Sequence, residues 1–155
     1  MHYVGVPLTA RFTEFGDPGG PNETVARVYA WLAEHEVVPL GGPLYIYRHV
    51  GDPDEPVDLT VAVPIANPVV PTDGLSLGAL PAGPYVVGRY TGHPDKIAHV
   101  HQEVRAWAQQ HGHRLDALRD DAGQLWTGHA EHFLTDPEAE PDRSKWVTDL
   151  LFKTV

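Results

Sequence analysis

The chain has 155 residues, no cysteine, and 21 acidic against 11 basic side chains, a formal charge of -10 with its ten histidines neutral. That balance argues against binding nucleic-acid phosphates or anionic lipid, which need surplus Lys and Arg. The missing thiol excludes disulfide scaffolds, thiolate metal sites and cysteine nucleophiles.

One domain over 1–155 is the expectation at this length. No apolar run approaches the ~20 residues of a membrane span, and Met1-His2-Tyr3-Val4 does not open a signal peptide, so the expected setting is soluble and cytoplasmic.

Strand signals begin within the first few residues, and Gly16-Asp17-Pro18-Gly19-Gly20-Pro21 then reads as a turn. A helix is predicted from about Glu23 to His35. At helical spacing Val25, Val28, Tyr29, Trp31, Leu32 and His35 share one face, and Asn22 is the expected N-cap. Past Gly41-Gly42-Pro43, Tyr45-Ile46-Tyr47 reads as a strand. Past Gly51-Asp52-Pro53, Val57, Leu59, Val61, Val63 and Ile65 alternate with Asp58, Thr60, Ala62 and Pro64, a strand with one buried face.

Tyr85 to Tyr90 is the next strand. A second helix is predicted from about Asp95 to His111, with Ile97, Val100, His101, Val104, Trp107, Ala108 and His111 on one face. Gly112 is suited to its left-handed C-cap. A loop is expected around Arg119 to Gln124, then strands at Ala130 to Leu134 and Trp146 to Phe152. Core packing is the expected role of Trp31 and Trp107.

The chain repeats itself. A shift of 76 residues pairs Gly16 with Gly92, Pro18 with Pro94, Val28 with Val104, Ala30 with Ala106, Trp31 with Trp107 and His35 with His111. Further on the register slips, so that Tyr45-Ile46-Tyr47 aligns with Glu131-His132-Phe133 and Val57 to Ile65 with Trp146 to Thr154. Each half, about 1–66 and 75–155, then reads strand, helix, strand, strand.

One helix shields only one face of three strands, so the halves are expected to join. The predicted fold is α+β, two pseudo-symmetric β-α-β-β repeats sharing an antiparallel sheet. Both helices are expected on one face, with a ligand cleft on the other, near the pseudo-twofold axis.

The chemistry-bearing residues are few. His129-Ala130-Glu131 resembles half of a zinc deaminase site, but the other half needs cysteines. His99 and His101 point to different sides of a helix, and no His-Glu-x-x-His occurs, so no metal or other cofactor is expected. Neither Ser76 nor Ser144 lies in a nucleophile-elbow pattern. Asp58 reads as a carboxylate on a solvated strand face. Glu131 stands apart because it is a carboxylate in an apolar strand, opposite Tyr45 and Tyr47. Beside aromatic rings it suits a cation, or general acid–base work. Tyr45, Tyr47, Trp126, Phe133 and Trp146 sit on or beside strands, although periodicity does not say which face they occupy.

Ala79-Leu80-Pro81-Ala82-Gly83-Pro84-Tyr85, Tyr90-Thr91-Gly92, a helix with Ala106-Trp107, Glu131-His132-Phe133-Leu134-Thr135-Asp136-Pro137, and Lys145-Trp146 come next into view together. In order and spacing they resemble the gyrase-inhibitor-like, or AraC-type effector-binding, domain family. The resemblance covers nearly the whole chain and implies two β-α-β-β units around a pocket with an acidic centre. It maps the family's central glutamate onto Glu131, and the aromatic wall onto Tyr45, Tyr47, Phe133 and Trp146.

A stand-alone member binding a lipophilic, aromatic or cationic compound, in drug or toxin sensing, sequestration or resistance, is the first expectation. The alternative is a hydrolase opening the cyclopropane ring of DNA-alkylating natural products, with Glu131 activating water and Asp149 as a second acid. A third reading has the acidic surface engage DNA gyrase as a protein partner.

Overall fold

In the computed structural model, which describes residues 1–155, the alternating segment becomes a strand with the bounds its pattern predicts, Val57–Ile65. In chain order the elements are β1 (His2–Ala10), α1 (Pro21–Glu34), β2 (Leu44–Val50), β3 (Val57–Ile65), β4 (Ser76–Ala79) and β5 (Tyr85–Thr91). They continue with α2 (Ile97–Gln110), β6 (Ala117–Asp120), β7 (Gly123–Phe133) and β8 (Val147–Lys153). Eight antiparallel strands form one sheet in the order β4-β1-β3-β2-β7-β8-β5, with β6 paired to β7. The fold is α+β and carries the two expected repeats, β1-α1-β2-β3 and β5-α2-β7-β8. No helix is long and apolar enough to cross a membrane.

The register locates the symmetry axis. β2 and β7 meet at the centre, with Leu44 opposite His132, Tyr45 opposite Glu131 and Ile46 opposite Ala130. Tyr45 and Glu131 are also equivalent positions of the two repeats, so the pseudo-twofold passes through that pair. Val61 lies across from Tyr45, and its equivalent Leu150 lies across from Glu131.

Both helices end with the same device. His35 Nδ1 lies 2.8 Å from the Trp31 carbonyl oxygen and its ring stacks on Trp31 at 4.0 Å. His111 does the same to Trp107, at 2.8 and 4.2 Å. One position later the chain enters the left-handed region, at Gly112 (φ 74) in the second repeat and at Glu36 (φ 55) in the first. The expected glycine cap is therefore present at Gly112, while Glu36 bears the Cβ cost of that conformation. Glu36→Gly is expected to raise stability by about 0.5–1 kcal/mol, read from urea unfolding; unchanged or lower stability would refute this.

The helices sit over the outer strands. α1 packs Val28, Trp31 and Leu32 against Val4, Val63 and Ile65. α2 packs Val104 and Ala108 against Val86, Leu150 and Phe152. Gly88 on β5 allows the second contact, since a Cβ there would lie 2.2 Å from Val104 Cγ2. Gly88→Ala must displace a stiff, buried valine, and should cost about 1–3 kcal/mol by thermal or urea unfolding. A stability within a few tenths of the parent would show that α2 can shift freely.

Several expectations need correction. Asn22 is not the α1 cap. Pro21, with its preset φ and no donor to lose, takes the first helical position, and Gly20 is the N-cap. The loop expected at Arg119 to Gln124 is a tight hairpin, with Arg119 paired to Gln124 across β6 and β7. β4 is an additional edge strand on β1. Trp107 is 48% exposed where its equivalent Trp31 is 4% exposed. Trp31 is covered by the β3–β4 connection, with Leu75 in its cluster and Thr72 accepting from its indole N–H, whereas Trp107 meets the rings of His111 and His113.

The largest correction concerns the cleft. It opens on the same face as the helices, between them. Because each helix covers outer strands, the central pair β2 and β7 is left uncovered on that side. The opposite face carries ion pairs and a small apolar cluster of Leu44, Ala62, Leu80 and Ala130.

Candidate functional site

The cleft has a volume of about 940 Å³, within the range of small-molecule sites. Its floor is β2, β7 and β8, and its walls are the β1–α1 segment with the start of α1 on one side and α2 on the other. Alternation brings Tyr45 and Tyr47 of β2, and His129, Glu131 and Phe133 of β7, onto this floor.

A bulge then changes the phase. Tyr47 opposes His129 but His49 opposes Leu125, so three β7 residues face one of β2. Trp126 within it and Val50 beyond it, which regular strands would turn away, also line the cleft.

The aromatic groups form a connected lining. Tyr45 meets Phe133 edge-on at 5.0 Å and Phe15 at 5.8 Å, and Phe12 lies 6.2 Å from Tyr47. His129 lies 4.8 Å from Trp126 and stacks on Phe152 at 4.2 Å. Trp146 closes one end, its indole N–H donating to the Glu140 carbonyl at 2.7 Å.

Glu131 sits in the middle, 6% exposed. His101 Nε2, on α2, lies 3.4 Å from Glu131 Oε1. Burial first, and then the Glu131 charge, push the Tyr45 and Tyr47 phenols up, Tyr47 well above the usual value. Both phenols therefore stay protonated. The Tyr45 hydroxyl donates to Asn22 Oδ1 at 2.6 Å, which explains why an apparent cap residue lies inside the first turn and faces the cleft.

His129 is buried and neutral. Burial, with a further push from His101, lowers it to about 3. Its Nδ1 lies 3.0 Å from the Leu151 carbonyl, which can only accept, so Nδ1 carries the proton and Nε2 is left as an acceptor.

The cleft thus brings together Glu131, Tyr45, Tyr47, Phe133, Trp126 and Trp146 of the residues expected from sequence. It does not include Asp149. That residue lies on the opposite sheet face, held bidentately by Arg89 at 2.8 and 2.9 Å, so it cannot serve as a second acid beside Glu131. His101 and Arg105 of α2, and Phe12, Phe15 and Asn22 before and within α1, line the cleft in addition to the residues expected from sequence. His101 and Arg105 are four residues apart and so share a helix face, which was the available signal.

A model of the GyrI-like small molecule binding domain matches residues 3–153. A search of curated proteins finds no match. Among solved structures, EcmrR in a DNA-bound cryo-EM complex superposes with a TM-score of 0.75 at 10% identity, covering 99% of this chain and 53% of that one. This chain therefore spans about half the length of EcmrR. A hydrolase from Listeria innocua gives 0.64 at 16% identity, over 100% of this chain and 87% of that one. SAV2435 bound to tetraphenylphosphonium gives 0.55 at 14% identity, over 100% and 88%. At these identities the likenesses show a shared fold.

Proposed function

The chain belongs to the GyrI-like small molecule binding domain family, and we propose that its cleft captures a lipophilic compound carrying a positive charge. One observation carries the reading: a nearly fully buried carboxylate, Glu131, stands at the centre of an aromatic floor. Water is largely excluded there, so its charge is weakly screened and favours a cation whose apolar body covers the rings. The phenol and tryptophan surfaces supply contact area with little rotamer entropy to lose. Tetraphenylphosphonium, the compound bound to SAV2435, is a suitable probe. Saturable binding with a thermal upshift is expected, and no shift at millimolar probe would sink the proposal.

A second reading is hydrolysis of a strained electrophile such as a cyclopropane-containing alkylator. It is favoured by the His101–Glu131 contact and by two protonated phenols beside the carboxylate. Glu131 would take a proton from water as its oxygen bonds to a cyclopropane carbon; the strained C–C bond would break, and a tyrosine hydroxyl would donate its proton to the conjugated carbonyl oxygen that receives the electron pair. Product mass after incubation separates the readings: turnover supports hydrolysis, and stabilisation without turnover supports capture.

A further inference from the structure

A cation-capturing cleft has no evident use for Arg105, yet Arg105 lines it. It follows His101 by one turn on α2, so the two project from the same helix face about 6 Å apart. Its guanidinium lies 5.1 Å over the Trp126 ring, and its side-chain hydrogen bond goes to Gln124 Oε1, a neutral acceptor.

Acids outnumber bases 21 to 11 in this chain, and four of the eleven basic side chains, Arg11, Arg48, Arg89 and Lys153, hold a carboxylate partner; Arg105 is an unpaired one that lines the cleft. Burial and the like charge of Arg119 both disfavour its charged form. The other carboxylate along the cleft, Asp95, is 86% exposed and contacts His93 at 3.3 Å. A partly buried cation without a counter-charge is disfavoured, and a ligand that brings the counter-charge relieves that cost.

We infer that Arg105 is an anion-recognising subsite, and that the compound taken by this cleft is amphoteric. Its positive centre would lie at Glu131, and a carboxylate, sulfonate or phenolate oxygen would lie against Arg105. With one N–H given to Gln124, the remaining guanidinium N–H groups can offer two parallel hydrogen bonds to such a group. This rests on the cleft being the ligand site, as proposed above.

Two lipophilic probes of opposite charge test it: 8-anilinonaphthalene-1-sulfonate by fluorescence and tetraphenylphosphonium by calorimetry. Arg105→Gln is expected to weaken the sulfonate about tenfold and to leave the phosphonium unchanged or tighter. Arg105→Lys should retain part of the sulfonate affinity, and Glu131→Gln should tighten it. The inference is overturned if Arg105→Gln, with an unchanged melting temperature, binds the sulfonate as the parent does, or if it weakens both probes equally. If the phosphonium fails to bind the parent while the sulfonate binds through Arg105, the subsite stands and the cation reading fails. If neither probe binds, both fail.

Discussion

Glu131→Gln is expected to weaken tetraphenylphosphonium binding about 50-fold while leaving the fold intact. The four rings keep the phosphonium centre off the carboxylate, at a separation taken as roughly 7 Å. At that distance and an effective dielectric constant near 20, the attraction is about 2.4 kcal/mol, or about 50-fold. The substitution is isosteric and leaves an amide able to meet Tyr47 and His101. It also removes a charge that is nearly fully buried in the free protein. The melting temperature without ligand should therefore hold steady or rise. Titration calorimetry reads the first expectation and thermal unfolding the second. A loss smaller than about threefold would mean that the aromatic surface, and not the charge, governs capture.

Acid should destabilise this protein through His129. Above pH 6.5 the ring is neutral in both the folded and the unfolded chain. As pH falls from 6.5 towards 3 the unfolded chain takes up a proton and the folded chain does not, because the buried ring titrates at about 3. Stability is thus lost as pH falls, with a slope approaching 1.4 kcal/mol per pH unit.

His129→Phe keeps the stack on Phe152 but loses the contact with the Leu151 carbonyl. It should be about 1 kcal/mol less stable than the parent at pH 7. At pH 4.5 it should overtake the parent, which by then has lost about 2–3 kcal/mol through this one ring. Carboxylates common to both proteins cancel in the comparison. Urea unfolding at the two pH values decides it, and equal pH slopes would refute the assignment.

Much of the architecture could be read from residue spacing. The alternation of Val57 to Ile65 specifies β3, and the repeat offsets place Glu131 opposite Tyr45, as the strands pair. What spacing could not give was the side of the sheet. Period two says that Tyr45 and Tyr47 share a face; whether helices cover that face depends on where they dock. A single-face picture with the helices side by side left the far side open. Docking over the outer strands instead parts the helices and exposes the centre between them.

Asp149 lies away from the cleft for the same reason, since its neighbours Thr148 and Leu150 face inward while it faces Arg89. The bulge that turns Trp126 inward adds residues to one strand only, which a periodic pattern does not register. His101 and Arg105 were legible as one helix face. Their meeting with Glu131 and Trp126 was not, because that needs the tertiary fold.

Tyr45 and Glu131 occupy the same place in the two halves and face each other across the axis. Had the halves been separate, identical subunits of a homodimer, every residue at that place would have met its own copy. Two glutamates there would repel in a dry site, and two tyrosines would leave it without a charge. Joining both halves in one polypeptide lifts that constraint. One copy can become acidic and the other aromatic, so a self-complementary scaffold comes to frame a lopsided cleft.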